Sequence, residues 1–593
     1  MSAGYDAAFL SSSQFFSRPL RKSVRLAAWL GVLGVTLFGS WHVASGQAKT
    51  VTTTTLVVTS GSGAVTTAPS GTVITLTATV QAGTSALTHG QVNFCDASAA
   101  FCTDIHLLGT AQLTGAGTAA MKFRPGLGTH SYKAVFPGTN SYSGSSSGAS
   151  ALAITGTLYP RGSSTTISET GSWGNYALTA TVTEYGGTAA PTGSVSFLDS
   201  SEGSLALGNG TLGAAIAGIH WPTPLGLSMP TNSPGAAAVG DFNGDGIPDL
   251  VVHAGGPSQP LVIFLGNANG TYTGIAGPSI FTYSFGPIVV ADFNGDGKLD
   301  MAVLNANSSV VTILLGNGDG TFTIAGSSPA SGSGPNQLAV GDFNGDGIPD
   351  LAVTDTSTNS VNILLGKGDG TFTVTASPPT IGSSPYAIAV GDFNGDGKLD
   401  LAVTDTYDDA ISIVLGNGDG TFAAATTLHS GSKGSPLLAA DFTGDGKLDL
   451  AVGVAGTGGA SDSATILSGN GDGTFSTPQA GTAASANSIS AIHVGDFNAD
   501  GIVDLVLTDS SAGTSTVFLG SGTGSFTANT VSLPGSPTFG LCSAAGDING
   551  DGRTDLLVGV YGSASALVYL TEAMETATAT ANVAPLARRF SRE

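Results

Sequence analysis

The chain has 593 residues, 88 of them glycine, and 41 acidic against 18 basic side chains give it a formal charge of −23. Glycine without a three-residue period excludes collagen, and 41% apolar with only 10% charged residues excludes a disordered chain. So acidic a chain suits no phosphate backbone, which argues against a nucleic-acid partner and leaves a Thr/Ser/Gly-rich all-β protein long enough for several domains.

The first segment reads as an address. Arg18, Arg21, Lys22 and Arg25 precede an apolar stretch from Leu26 to Phe38, and small residues follow in Ala44-Ser45-Gly46-Gln47-Ala48. That order predicts a secretory signal over residues 1–48, cleaved near Gly46 or Ala48, and hence a secreted, extracellular or cell-surface protein. The alternative is an uncleaved anchor, since extending the run to Val43 makes it 18 residues. That anchor is the one membrane contact the sequence offers.

From Thr50 the chain alternates, as in Val73-Ile74-Thr75-Leu76-Thr77-Ala78-Thr79-Val80, and β-branched residues with period two predict sandwich strands. Cys95 and Cys102 have six residues between them, a spacing that suits a disulfide bridge in an oxidising compartment. Cys542 reads as a buried free thiol. The block then repeats: Tyr176 to Val182 answers 74–80, and Gly193-Ser194-Val195-Ser196-Phe197-Leu198-Asp199 answers Gly90 to Asp96. The first copy continues into Tyr132-Lys133-Ala134-Val135-Phe136-Pro137-Gly138, a strand that the second copy lacks. These Gly-x-Val-x-Phe and Tyr-x-Ala-x-Phe strands resemble bacterial Ig-like repeats. The resemblance implies a β-sandwich over 50–155, an incomplete second repeat over 156–218, and a spacer role.

Beyond residue 219 one acidic loop recurs seven times. Its candidate ligands are Asp241, Asn243, Asp245 and Asp249; Asp292, Asn294, Asp296 and Asp300; Asp342, Asn344, Asp346 and Asp350; and Asp392, Asn394, Asp396 and Asp400. They continue with Asp441, Thr443, Asp445 and Asp449; Asp496, Asn498, Asp500 and Asp504; and Asp547, Asn549, Asp551 and Asp555. Strands flank each loop, and a turn such as Gly416-Asn417-Gly418-Asp419-Gly420-Thr421-Phe422 follows the third strand. Four strands per unit of about 50 residues, seven times over, predicts a seven-bladed β-propeller across 219–571. The turn recurs only six times, with none after the seventh loop. Counting back 101 residues from Phe322 lands on Trp221, as Asp342 lands on Asp241, so residues near 219–226 are expected to supply the missing outer strand of the last blade.

Oxygen ligands at loop positions 1, 3 and 5, glycine at 6 and the position-7 carbonyl form the first half of a calcium loop. An EF-hand would need Glu at position 12, where the first copy has Val252, so the position-9 Asp closes the shell instead. Three carboxylates in one nine-residue turn repel unless a cation sits among them, and oxygen-only ligands favour Ca²⁺ over zinc. Seven ions would move the formal charge from −23 to −9. Thr443 replaces Asn in the fifth loop, which is expected to be the weakest site.

The Asp-Phe-Asn-Gly-Asp-Gly-x-x-Asp-Leu pattern resembles the FG-GAP/VCBS repeats and the propeller of integrin α subunits. The resemblance implies Ca²⁺ held by positions 1, 3, 5 and 9 with the position-7 carbonyl, and an extracellular protein or glycan as partner in an adhesion or ligand-binding role. The eight histidines are scattered, and no nucleophile elbow or phosphate loop is present, so no enzyme is expected. The alternatives are a structural stalk component or a carbohydrate-active enzyme, the latter favoured by a buried acid pair outside the Asp loops. A ligand surface is expected on the face opposite the loops, where Asp355-Thr356-Ser357-Thr358-Asn359, Asp405-Thr406-Tyr407-Asp408-Asp409 and His253-Ala254-Gly255-Gly256 are the most polar connections. Residues 572–593 read as a tail that frays.

Overall fold

In the computed structural model the described residues run from 49 to 583, apart from 62, 98–101, 103, 157–162, 173–174, 186–190, 200–204, 231–233, 255–259, 281–285, 430–435, 455–462, 477–488, 510–513, 530–539 and 561–563. The expected signal over 1–48 therefore lies outside the described residues, as do Gly255, Gly256 and the side chain of Cys542. The described chain is all β, with one short 3-10 turn at Asp104–His106. Among the described residues no helix is long and apolar enough to cross a membrane.

The first module is a two-sheet sandwich. Thr53–Ser60 and Ile74–Ala82 pair in one sheet, with Thr118–Phe123 on the far side of Ile74–Ala82. Gln91–Asp96, Gly128–Gly138 and Ser150–Thr155 build the other. Period-two alternation turns Ile74, Leu76, Ala78 and Val80 inward, where they meet Val92, Phe94, Ala134 and Phe136 from the facing sheet. A disulfide joins Cys95 to Cys102, with their Cα atoms 5.5 Å apart.

Seven antiparallel sheets follow the Asp-loop repeat. The third is representative: Pro335–Gly341, Asp350–Asp355, Ser360–Gly366 and Phe372–Val374 pair in sequence order. The second strand of each sheet lies between two others, and Asp350–Asp355 is buried at every position. The fifth sheet has three strands among the described residues, Leu437–Ala440, Asp449–Val454 and Ser463–Leu467. Apolar side chains fill the spaces between neighbouring sheets. Phe293, Leu304, Leu338 and Val353 join the second and third, and Leu250, Phe264, Leu557 and Val568 join the first to the seventh. First strands also touch their neighbours in order, and Ala237–Gly240 of the first sheet meets Gly540–Gly546 of the seventh.

An aromatic relay repeats at these boundaries. In the first five loops the Phe after the first Asp packs on the aromatic residue of the next sheet's hairpin turn: Phe343 lies 5.9 Å from Phe422 and Phe393 lies 5.5 Å from Phe475, centroid to centroid. The hairpin glycine docks beside it, with Gly420 N donating to Phe343 O at 3.0 Å. Gly420 has φ of +80°, the left-handed region that glycine permits, and a Cβ there would press on the Leu365 side chain at 3.0 Å.

Trp221 takes the same slot for the seventh sheet, 6.4 Å from Phe497. The outer strand itself is Leu225–Ser228, paired with Ser565–Tyr569, and begins four residues after Trp221. Pro222 and Pro224 explain the offset, since proline has no N–H to give a ladder.

Two expectations are corrected at the ends of this region. Residues 572–583 do not fray: Glu572–Val583 is a strand. It lies between Asn175–Tyr185 and Ile216–His220, in a sheet whose remaining strand is Ser163–Ser172. Its Ala/Thr alternation has period two but little hydrophobicity, which hides it from an apolar-run reading. The second repeat is therefore not built from 156–218 alone. Its hairpin, Ser194–Asp199 with Leu205–Thr211, packs on a sheet that the chain's far end helps to form.

Candidate functional site

Each Asp loop is a turn that its own acids organise. In the fourth loop Asp392 accepts Asp396 N at 3.1 Å and Gly397 N at 2.8 Å, while Asn394 Oδ1 accepts Asp396 N at 2.8 Å. Asp396 Oδ1 accepts Lys398 N at 3.0 Å. The position-9 acid, Asp400, faces inward: Oδ2 accepts Phe393 N at 3.0 Å and Oδ1 accepts Gly416 N at 2.7 Å. Gly397, at position 6, has φ of +79°, the left-handed turn that glycine permits. The same bonds recur in the other loops, except that in the fifth Thr443 replaces the Asn and its Oγ1 accepts nothing from Asp445 N, and that Thr571 replaces the strand-end glycine for Asp555 in the seventh.

Position 9 is buried in every copy, and Asp249, Asp300, Asp350, Asp400, Asp449, Asp504 and Asp555 are fully inaccessible. Burial is the main cause that pushes their carboxyls up, to about 8 for Asp350 and about 7 for Asp249, Asp300 and Asp504. Backbone N–H bonds pull the other way, and the position-1 and position-5 acids add repulsion. At position 1 burial likewise raises Asp342 to about 6 and Asp547 to about 7. Each loop therefore gathers negative charge that its surroundings disfavour.

The loops fall into two kinds. Where position 7 is Ile or Arg, the Asn at position 3 donates its amide to the position-5 acid, as Asn344 does to Asp346 at 2.9 Å. Where position 7 is lysine, the ammonium takes that place: Lys298, Lys398 and Lys447 sit 3.2, 3.1 and 3.4 Å from Asp296, Asp396 and Asp445. These pairs are surface exposed and reach only position 5. Among the described residues no three His, Cys, Asp or Glu side chains are drawn together as a metal cage. The donor set is nonetheless all oxygen, partly buried and acidic, which is the chemistry of a hard divalent cation.

The polar connections at the other end of the strands prove to be organised turns. Asp355 is 1% exposed, and it accepts Ser333 N at 2.8 Å, Gly334 N at 3.0 Å and Ser357 N at 2.9 Å. Asp405 and His253 are also buried, and burial lowers the His253 imidazole to about 4. Tyr407, at 81% exposure, is a large side chain that this face presents to solvent.

Sequence reading missed the partner of the loop face. The first module sits against it through backbone groups: Asn140 N donates to Gly345 O and Asn140 Nδ2 to Asn344 O, both at 2.7 Å. Lys122 Nζ donates to Gly244 O in the first loop. Gln112, with its amide oriented to satisfy both neighbours, donates to Gly347 O at 2.8 Å. Between module and loops lies a cavity of about 320 Å³ bounded by His89, Gln112, Asp292, Asn294 and Lys367. These contacts carry no sequence signature, because each uses a different residue against a carbonyl. The strand-end glycines that hold position 9 did carry one: Gly316, Gly366, Gly416 and Gly520 follow it by 16 residues, and Gly266 and Gly469 by 17 and 20.

Comparison with protein families matches FG-GAP-like repeats at 241–303, 292–353, 342–403, 392–452 and 496–558, spans that contain all seven Asp loops. A bacterial Ig-like domain of group 3 matches 58–155. No curated protein matches the chain. The chain carries five FG-GAP-like repeats and one bacterial Ig-like domain, a combination that points to an extracellular or surface protein.

Proposed function

We propose that the protein is a secreted or cell-surface binding protein built on a closed seven-bladed propeller. Each Asp loop takes one Ca²⁺ as a structural clamp, and the face opposite the loops meets an extracellular protein or glycan. One observation carries this reading: seven sheets follow one another with an apolar cluster at every junction, including that between seventh and first. The oxygen-only loops lie at one end of these sheets, and a bound divalent ion would offset the repulsion among their acids. The first module's contacts are with the loop side, which supports the opposite face as the one that meets the partner.

Metal counting on the full secreted chain, with thermal melts in Ca²⁺ and in EDTA, tests the clamp. About seven ions and a large calcium-dependent rise in Tm are expected; no bound metal and no shift would overturn it. A glycan array and cross-linking to host surface extracts test the binding role, and a flat response in both would favour a structural stalk.

One observation favours a carbohydrate-active enzyme. Asp405 is buried, its Oδ1 has no partner, and burial with the nearby Asp408 raises its carboxyl to about 6. Ser412 donates to Asp405 Oδ2 at 2.7 Å, and Asp408 accepts Ser383 N, bonds that serve the turn and place this reading second. Hydrolysis of a polysaccharide panel that disappears in Asp405→Asn would reverse the order.

A further inference from the structure

We propose that the slot between Asn175–Tyr185 and Ile216–His220 is a binding site for an extended segment with small residues at alternate positions. Glu572–Val583 fills it in cis, and the filled module clasps the two ends of the repeat region together. This goes beyond the binding role above and stands whether or not that role holds.

The strand in the slot is an insertion. In the first module Ile74–Ala82 bonds directly to Thr118–Phe123. In the second, the strand that repeats Ile74–Val80 is separated from Ile216–His220, and the C-terminal strand bonds to both. Ten residue pairs, Tyr176 with Val583 through Tyr185 with Met574, run along one side. Five more, Ile216 with Thr576 through His220 with Glu572, run along the other. Adding a strand in this way satisfies the main chain and leaves selectivity to alternate side chains.

Side-chain size sets that selectivity. Ala577, Ala579 and Ala581 are at most 6% exposed and face inward, and Ala581 shares a core with Ala180 and Phe197. The facing hairpin has glycine opposite them. A Cβ on Gly210 would lie 2.9 Å from Thr580 O and 3.1 Å from Ala579 Cβ, and one on Gly208 would lie 3.2 Å from Ala581 Cβ. Glycine against alanine brings the layers so close that no larger inward residue fits. Gly213 N adds a bond to Thr578 O at 2.9 Å. On the outer face Thr179 meets Thr580 and Thr183 meets Thr576, at 3.2 and 3.3 Å between hydroxyls.

The clasp runs straight into the seventh sheet. Trp221 Nε1 donates to Thr571 Oγ1 at 2.8 Å, and both residues are buried. On one side of this bond lies the pair Ile216–His220 with the C-terminal strand, and on the other Leu225–Ser228 with Ser565–Tyr569. Two antiparallel pairs in tandem thus join residues more than 330 apart in sequence.

Hydrogen exchange read by mass spectrometry on full-length Ala579→Leu tests this. Amides of 176–185 and 574–583 are expected to lose protection by at least about tenfold, while Leu351–Val353 in the third sheet keep theirs. An excess of synthetic peptide with the sequence of 572–583 restores protection at 176–185, and the same peptide carrying Ala579→Leu does not. Gly210→Val, which closes the slot from the hairpin side, loses the same protection without rescue by peptide. Unchanged protection in Ala579→Leu, or equal rescue by a scrambled peptide, overturns the proposal. If the variant loses protection throughout, the peptide arm decides: recovery at 176–185 supports the slot and failure to recover overturns it.

Discussion

At the residue scale, position 9 and position 5 of an Asp loop separate structural from ionic roles. Asp400 holds two buried backbone N–H groups, from Phe393 and Gly416. Asp400→Ala leaves both without an acceptor and is expected to cost about 1–3 kcal/mol for each, with or without calcium. Asp396 is about a third exposed and its one backbone bond can be kept by an amide. Asp396→Asn is therefore expected to change stability in EDTA by less than about 0.5 kcal/mol, yet to remove one ion and part of the calcium-dependent stabilisation. Calorimetry of both variants in Ca²⁺ and EDTA distinguishes them, and equal losses for both would contradict the assignment. The pH dependence has a definite sign as well. Folded-state carboxyls raised to about 7 or 8, as at Asp300 and Asp350, bind more protons than the unfolded chain between about pH 4 and 7. Metal-free protein is then expected to lose stability as pH rises from about 5 to 8, whereas calcium-loaded protein gains it, because the ion needs the ionised form. Melts across that range in EDTA and in excess Ca²⁺ would show two opposite slopes. The loop acids were legible in sequence because their spacing within a turn is local. The lysines at position 7 were not, since nothing local reveals that their ammonium replaces an Asn amide.

At the element scale, the sheet boundary is the unit that repeats. Phe393 is 2% exposed, packs on Phe475 and lends its carbonyl to Gly473 N at 2.9 Å. Phe393→Ala is expected to destabilise by about 3–5 kcal/mol, and denaturant unfolding would measure it; a loss under 1 kcal/mol would mean that the relay only fills space. Strand number and phase were readable because the loop and hairpin motifs bracket every strand. Strand ends were less so. Pro222 and Pro224 delay the outer strand of the seventh sheet, although Trp221 sits where repeat counting puts an aromatic residue. The C-terminal strand escaped because alanine and threonine alternate without an apolar signal, and its partners lie nearly 400 residues away. Asp355 and Asp405 read as solvent-facing because charge in a connection suggests exposure, but each buried carboxylate serves a turn instead.

At the scale of the whole molecule, a net charge of −23 meets a module placed where the acids are densest. The first module approaches the loops with Lys122 and Asn140, whose donors reach the carbonyls of Gly244, Asn344 and Gly345. Carbonyls as acceptors leave the loop acids available to a cation, so the seat and the clamp can coexist on one face. Reversing charge at the seat tests how much of it is electrostatic. Lys122→Glu with Asn140→Asp sets two new acids against the loops and removes the two side-chain donors, leaving only the Asn140 backbone N–H, at positions outside the cores of both modules. The Tm of the repeat region is expected to stay within about 2 °C, while the module leaves its seat and the radius of gyration rises by several ångströms. Calcium should oppose the release, since each bound ion lowers the negative charge facing the new acids, and salt should oppose it through screening. Small-angle scattering of wild type and variant, in EDTA and in Ca²⁺ at low and high salt, reads all three effects. An unchanged radius in every condition would mean that the seat is held by shape and backbone bonds, and that the acidic face attracts its module through no charge of its own.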